Sequence, residues 1–481
     1  MRLSQLLDGA LPGQDVEITS LSYDTRTLEP GALFFALPGY KTDGRRFIDQ
    51  AFQKGAAAVV CPPPVEDPRC ILTENPRRAL AEASRRWFGA PGDKMTLLAV
   101  TGTNGKTTTT YLLKGMLEKV LGAKVGLIGT NQNMIGPEVL PAAHTTPESF
   151  ELQELLARMA AEGCSHVVME VSSHALVLER VHGLRFQAGV FTNLTPEHMD
   201  FHGTMESYRA AKGRLFYQCD VGVLNLDDPA GRYYLETTPA RTFTYSENKR
   251  EADLSAQNLR LFPQKVEFEA LTKDDLCRVS VPIPGGFSVY NSLGALGCCL
   301  ALGLPLEPCA AALGAVGGVK GRAEVVDTPA DYTVLIDYAH TPDALENILR
   351  TVRDFTSGRV LLVFGCGGDR DRSKRPVMGA IAARLSDLTV VTSDNPRTEE
   401  PMTIIKEILA GFPAAEAPLV EEDRSRAIGL ALSLAREGDT VVIAGKGHET
   451  YQEIAGKRRH LDERQVIRDY FDEKAGKDCT E

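Results

Sequence analysis

Residues Leu97 to Thr110 read LLAVTGTNGKTTTT: an apolar run, a glycine-bounded loop and the start of a helix. Gly102 and Gly105 can adopt backbone angles closed to other residues, so the loop can curl on itself. Its N–H groups then converge at a helix N-terminus, where anions are favoured. Across Gly102, Thr103, Asn104, Gly105, Lys106, Thr107 and Thr108, Lys106 adds a point charge and the Thr107 hydroxyl suits Mg²⁺. Leu112, Leu113, Met116, Leu117, Val120 and Leu121 recur at helical spacing. The general phosphate loop has a glycine where Val100 stands, so this is a shortened form. It predicts a bound nucleoside triphosphate. A switch, a motor, a kinase and a ligase could all carry it, and the bland alternative is a Gly/Thr-rich turn.

At 481 residues, about 150 per domain suggests three domains. The net charge of −11 excludes a nucleic-acid binder that relies on a general basic surface. A local basic pocket for a small anion stays open. The start, MRLSQLLDGALPG, has no apolar core of a secretory leader. No run of 18 strongly apolar residues occurs, so no membrane association is expected. Leu293 to Leu306 reads as a buried helix. The ten cysteines show no CxxC spacing, which fits free thiols in a reducing cytoplasm.

The chain divides at changes of pattern into residues 1–92, 93–321 and 322–481. The first part reads as a small α/β unit: a strand at Ala58–Cys61, a helix at Arg77–Phe88, then GAPGDK as a linker. The second alternates strands and helices: Leu97–Val100, Val125–Ile128, the helix Ser149–Glu162, Val167–Val171, Ala188–Phe191 and Val221–Leu224. That alternation predicts a mostly parallel sheet with a phosphate-loop ATPase layout. The third repeats it, with strands Val334–Ile336, Val360–Phe364, Leu388–Thr392 and Thr440–Ile443, as a Rossmann-like doubly wound unit. The fold class is α/β. Ligands in such sheets sit beyond the carboxyl ends of the strands.

Candidate chemistry collects at those ends. Glu170 closes one strand, and His198 follows another in TPEHMDFH. Together they could ligate a divalent ion on the triphosphate. Alone, His198 is equally a structural histidine, and Glu170 a cap or surface acid. Lys212 in YRAAKGRLF reads from its residues alone as a solvated helix lysine. Asn291 stands near a helix start, as a cap or as a contact to a base. In the last part Arg370 and Arg397 put a guanidinium pair at adjacent strand ends, which matches a carboxylate. Glu449, near Gly445, adds a negative partner for an ammonium. Both signs in one pocket suit an amino acid; the alternative is a salt-bridge network.

Taken in order, TGTNGKTTT, HTTPES, MEVSSHAL, VFTNLTPEHMDFHG, YRAAKGRLF, GGFSVYN, GRAE, IDYAHTPDAL, FGCGGDRDRSKRP, SDNPRTEEP and AGKGHE resemble the Mur ligases of peptidoglycan synthesis along nearly the whole chain. The resemblance implies a cytoplasmic, ATP- and Mg²⁺-dependent amide ligase of cell wall biogenesis, and so of cell shape and division. It implies activation of a substrate carboxylate as an acyl phosphate, then attack by an amine. The substrates implied are UDP-N-acetylmuramoyl-L-alanyl-D-glutamate and meso-diaminopimelate, on a monomer. It assigns Mg²⁺ to Thr107, Glu170, His198 and Lys212, with Lys212 carbamylated. Lys106, Lys212, His198 and Asp337 become the catalytic set, with His340 in the same motif as Asp337. Asn291 and Arg322 join the loop around ATP.

The same resemblance assigns Tyr23, Thr25, Tyr40, Lys41 and Thr42 to the uridine nucleotide. Thr145, Thr146, Ser172, Leu178 and Arg180 go to the rest of that substrate, with Leu178 standing where relatives carry glutamine. Arg370, Asp394, Asn395, Pro396, Arg397, Gly445 and Glu449 form the amino-acid site. Arg370 and Arg397 are expected to hold the distal carboxylate, and Asp394 with Glu449 the distal ammonium. L-Lysine would leave two buried arginines without a carboxylate.

Overall fold

A computed structural model of the chain describes residues 1–7, 15–39, 42–414 and 417–478, with side chains to 475. It divides into two compact units: Met1–Asp253 with Gly294–Cys309, and Leu254–Leu293 with Ala310–Glu481. Among the described residues no helix is long and apolar enough to cross a membrane.

The first unit begins with a parallel four-stranded sheet: β1 (Ser20–Ser22), β2 (Ala32–Phe35), β3 (Ala58–Cys61) and β4 (Cys70–Leu72). β2 and β3 are buried along their whole length, as expected of inner parallel strands covered on both faces. The helix Pro76–Trp87 starts on Asn75, whose side chain accepts from the Arg78 amide, with proline in the first turn. GAPGDK is not a loose linker. Pro91–Lys94 is a 3₁₀ turn with Pro91 and Gly92 buried, and Gly92 sits between Leu97, Leu156 and Leu184. Apolar neighbours on both sides pull the segment into the core.

The same unit continues through β5 (Thr96–Thr101), β6 (Val125–Ile128), β7 (Asn133–Ile135), β8 (Glu138–Leu140), β9 (His166–Glu170), β10 (Phe186–Phe191), β11 (Cys219–Asn225) and β12 (Arg241–Ser246). These lie in the order β12-β11-β10-β5-β9-β6-β7-β8. Pairing is parallel from β12 to β6, and β7 and β8 close the edge as an antiparallel hairpin. β5 therefore lies between β9 and β10. Chain order reverses around it, which opens a crevice at its carboxyl end.

The second unit holds an antiparallel meander that sequence pattern had not marked: β13 (Leu254–Leu261), β14 (Val266–Leu271) and β15 (Leu276–Val281). It also holds β16 (Glu324–Val326), β17 (Thr333–Asp337), β18 (Val360–Phe364), β19 (Leu388–Val391), β20 (Leu419–Val420) and β21 (Thr440–Ala444). Their order is β16-β17-β21-β18-β19-β20, antiparallel only at β16. A last hairpin, β22 (Tyr451–Ile454) with β23 (Lys457–His460), follows. Val334, Ile336, Leu361, Val363, Val441 and Ile443 pack with Ala427, Ile428 and Ile467 as its core. Loops after β17, β21, β18 and β19 thus line up side by side at one end of the sheet.

Candidate active site

The loop after β5 is braced as well as curled. Gly102 has φ +149°, and a methyl group there would lie 1.9 Å from Thr192 Oγ1. No larger residue fits so close to that hydroxyl. The Thr103 amide donates to the Asn193 carbonyl (2.8 Å) and the Asn104 amide to Asn193 Oδ1 (2.9 Å). Thr192 Oγ1 donates to the Asn104 carbonyl at 2.6 Å. The end of β10 therefore holds the loop's shape. Lys106 Nζ folds over it, donating to the carbonyls of Gly102 (3.0 Å) and Thr103 (2.8 Å).

Glu170, at the end of β9, is fully buried. Its Oε1 accepts from Thr107 Oγ1 (3.0 Å) and the Thr130 amide (2.9 Å), and its Oε2 from Thr130 Oγ1 (3.0 Å). It is neither a cap nor a surface acid: Ser172 caps the next helix by accepting from the Ala175 amide. Thr130 is a site residue that no motif announced. It follows β6, the strand beside β9, and that adjacency is fixed only in space. The donor set fits Mg²⁺, which takes a few hard protein oxygens and keeps others from phosphate and water. Among the described residues no group of three or more His, Cys, Asp or Glu is arranged for a metal.

Lys212 overturns the solvated reading. The helix Met205–Gly213 turns Tyr208, Ala211 and Lys212 inward, and Lys212 is 1% exposed. Its Nζ donates to the Gly102 carbonyl at 2.8 Å and lies 4.5 Å from the Tyr208 ring centre. Burial holds its pKa well below the ordinary lysine value, and Lys106 pushes the same way. Two amines thus share one loop carbonyl. His198 has φ +58°, with its ring edge-on to His174 at 4.7 Å and 3.6 Å from Glu197. Burial lowers its pKa; Glu197 opposes this, and Lys106 and Lys212 reinforce it.

The residues assigned to the uridine nucleotide partly converge on the helix Ser149–Ala161. Tyr23 Oη donates to Glu151 at 2.5 Å, and burial, then that bond, raises its pKa. Glu148, the cap of the helix, accepts from Arg77 (3.0 Å) and lies 3.4 Å from Arg180 Nε. Arg180 Nη1 donates to the Thr146 carbonyl (3.0 Å), and Thr146 Oγ1 to the Glu170 carbonyl (2.9 Å). The Ser172 amide donates to Thr146 Oγ1 (3.1 Å), and the Thr145 and Thr130 hydroxyls are 3.0 Å apart. Leu178 ends the helix Ser173–Val177. Thr25 is buried and donates to Gln50 (3.0 Å), while Thr42 is exposed. Tyr40 and Lys41 lie outside the described residues.

In the second unit Asn291 is the fifth residue of the helix Phe287–Ala301 and is buried, so it does not cap that helix. Asp337 ends β17 between two amides, Ala323 (2.7 Å) and Ala339 (2.8 Å). Burial raises its pKa, against Arg322 and those bonds. The Arg322 guanidinium lies over the Tyr338 ring at 4.8 Å, and His340 Nδ1 meets the Tyr338 carbonyl at 2.8 Å.

Loops after β18, β19 and β21 bring the expected amino-acid residues together, with two corrections. A methyl group on Gly367 would lie 3.0 Å from Arg397 Nη1 and 3.9 Å from Arg370 Cγ, so both arginines flank that glycine. Only Arg397 is partly buried, donating to the Gly368 carbonyl at 2.6 Å; Arg370 is exposed. Glu449 is already engaged, accepting from Asn395 Nδ2 (2.8 Å) and the buried Lys446 (3.1 Å). The acceptor left over is Asp394 Oδ2, buried and without a hydrogen-bond partner, 4.0 Å from Arg424 Nη1. Gly445, at φ +121°, passes so close that a methyl there would lie 2.6 Å from Asp394 Oδ2. Pro396 closes the turn onto Gly368.

Three family models match along the chain: Mur ligase family, catalytic domain, at residues 17–86; Mur ligase middle domain at 100–299; and Mur ligase, glutamate ligase domain, at 321–447. The chain belongs to the Mur ligase family. It is 44% identical over 467 residues to the UDP-N-acetylmuramoyl-L-alanyl-D-glutamate–2,6-diaminopimelate ligase of Clostridium tetani, covering 95% of this chain and 96% of that one. Identity to the ligase of the same name from Geobacillus kaustophilus is 45%, covering 95% of each. A solved structure of a ligase of that name matches at TM-score 0.73 and 32% identity, covering 99% of both chains. A second, MurF ligase from Thermotoga maritima in complex with ADP, matches at TM-score 0.61 and 18% identity, over 96% and 99% of the two chains; it shows the shared fold.

Like other Mur ligases, the chain is an ATP-dependent ligase with a mixed α/β fold.

Proposed function

We infer that this Mur ligase joins meso-diaminopimelate to UDP-N-acetylmuramoyl-L-alanyl-D-glutamate in the cytoplasm, for peptidoglycan synthesis. The observation that carries the reading is the end-to-end likeness, at 44–45% identity, to ligases named for that reaction. The amino-acid pocket supports it. Arg397, with Arg370 beside it, offers guanidinium to a second carboxylate, and Asp394 Oδ2 is a buried acceptor that an ammonium would satisfy. L-Lysine has no second carboxylate for Arg397. The cost of that mismatch now rests on one partly buried arginine. The division into 1–92 for the nucleotide substrate, 93–321 for ATP and 322–481 for the amino acid is part of the proposal, and the three family spans support it. We read the enzyme as a monomer without nucleic-acid or membrane partners.

The residues divide the work by charge. Loop amides and Lys106 neutralise the ATP phosphates while a substrate carboxylate oxygen attacks the γ-phosphorus and ADP leaves. Mg²⁺, when bound, supplies further charge neutralisation on the phosphates. Thr107, Glu170 and His198 would hold it, with Lys212 joining them once carbamylated. Lys212 suits carbamylation because burial favours the neutral, nucleophilic form of its amine, and a carbamate would turn the site into a carboxylate-like ligand. The amine of the second substrate then attacks the acyl carbon, the C–O bond to phosphate breaks, and phosphate departs with the proton that the amine sheds. By family resemblance Asn291, Arg322 and Asp337 are assigned to ATP, with His340 in the same motif as Asp337.

The test is an acceptor panel: ATP, Mg²⁺, the UDP-muramoyl dipeptide and one amino acid at a time, with product masses read. We expect phosphate release only with all partners present, and kcat/KM for diaminopimelate at least about 100-fold above that for L-lysine. Equal use of both amino acids would sink the substrate assignment.

A further inference from the structure

Behind the amino-acid pocket lies a charged side chain with no direct part in binding. Arg375 sits in the first turn of the helix Lys374–Leu385 and is completely buried. Its guanidinium grips Glu399 as a fork, Nη2 to Oε1 at 2.8 Å and Nη1 to Oε2 at 2.9 Å. Nη1 also donates to Glu407 at 2.7 Å, and Nη2 to the Gly367 carbonyl at 3.2 Å. One group therefore ties the loop after β18, which carries Arg370, to the loop after β19, which carries Arg397.

The two loops are laced at further points. Glu399 Oε1 accepts from the Asp369 amide at 2.6 Å, Thr398 Oγ1 donates to Asp369 Oδ1 at 2.6 Å, and Arg397 reaches the Gly368 carbonyl. Each loop bends through a left-handed residue that is not glycine: Asp369 at φ +53° and Arg397 at φ +54°. Such angles persist only where the surroundings hold them. Among the described residues Arg375 is a buried charge that reaches both loops, and Glu407 ties it as well to the helix Pro401–Leu409.

We propose that Arg375 is a positioning residue for acceptor recognition, setting the spacing at which Arg370 and Arg397 meet the far carboxylate of the incoming amino acid. This rests on the assignment of that pocket to diaminopimelate. A planar fork is required, because lysine, as a single point charge, can serve one carboxylate at a time. Losing the fork frees the loops to drift, and drift of about 1 Å is enough to cost on the order of 100-fold.

The experiment is steady-state kinetics on Arg375→Met and Arg375→Lys, with KM measured for all three substrates. We expect Arg375→Met to raise KM for diaminopimelate on the order of 10- to 100-fold. KM for ATP and for the UDP-muramoyl dipeptide should stay within about twofold, and Arg375→Lys should recover part of the loss. An equal rise in all three KM values marks a merely structural residue and overturns the proposal. So does an unchanged diaminopimelate KM. Should Arg375→Met fail to fold, Glu399→Gln keeps an acceptor for the Asp369 amide but loses the charged fork, and the same split in KM is required of it. A wild type that prefers another amino acid sinks the diaminopimelate assignment alone, and Arg375 is then judged by the KM for that amino acid.

Discussion

Lys212 and Arg375 are both buried cations, and they have opposite fates. Lys212 has a backbone carbonyl and an aromatic face for company, and a second amine near by. Arg375 has two carboxylates and a carbonyl. Desolvation penalises the charged form in both. At Lys212 the charge of Glu197 opposes it only in part, so the amine is pushed towards neutrality. At Arg375 the glutamates more than repay it, and the guanidinium is fixed as a cation. Burial alone thus makes a nucleophile, and burial with counter-ions makes a staple. In the roles proposed above, the first would serve the chemistry and the second would keep a pocket in shape.

The hardest test of this contrast is Lys212→Arg. Arginine keeps the charge but cannot form a carbamate and does not lose its proton. We expect ADP release to fall on the order of 1,000-fold, and intact mass to show one bound CO₂ on the wild type and none on the variant. A variant that turns over normally would break the contrast, since any buried cation would then serve.

A second test works from the staple. Glu399 is held at about 2, chiefly by its bonds to Arg375, against an ordinary glutamate value of 4.5. Its folded pKa is depressed, so its contribution to stability is complete above the unfolded value and is lost as pH falls from 4.5 towards about 2. We expect about 2 kcal/mol, after screening at a partly exposed carboxylate. Denaturant titrations of wild type and Glu399→Gln should differ by that amount at neutral pH and converge near the acid end. A constant gap across the range would mean that packing, and not charge, holds the loops.

These two regions also differ in how far the sequence alone could reveal them. The phosphate loop is contiguous, and its glycines, Lys106 and Thr107 could be assigned roles from residue chemistry. Glu170 was readable as a strand-end carboxylate because it closes β9, and His198 as a residue following β10; those two strands flank β5. Lys212 read as an ordinary helix lysine: one helix turn with Tyr208 and Ala211 inward carries no mark of burial. Its role came only through resemblance, as did those of Asn291 and Asp337. Thr130 and Arg375 were missed for the same reason. The carboxylate partners of each lie 24 to 40 residues away, and no local spacing encodes such pairs. The guanidinium pair was foreseen, but not that Arg370 would be exposed or Glu449 already taken by Lys446. Pairing inside a pocket depends on loop paths that composition does not set. The meander β13–β15 has the alternation of half-buried strands, plainest in β14, yet no motif marks it.

The smallest effect bears on Lys212 as a cost. Its folded pKa lies below the unfolded value, near about 10.4. Between the two, the unfolded chain holds a proton that the folded chain does not, so stability at this site falls as pH falls through that window. Replacing the amine with an apolar chain of similar length removes the penalty. In CO₂-free buffer we expect Lys212→Met to be more stable than the wild type by about 1 kcal/mol, with the gap closing as pH rises past about 10.4. Admitting bicarbonate should stabilise the wild type alone, because only it can form the carbamate. A variant less stable than the wild type at every pH would mean that the Gly102 bond and the Tyr208 face outweigh desolvation. Lys212 would then belong with Arg375, as a second staple.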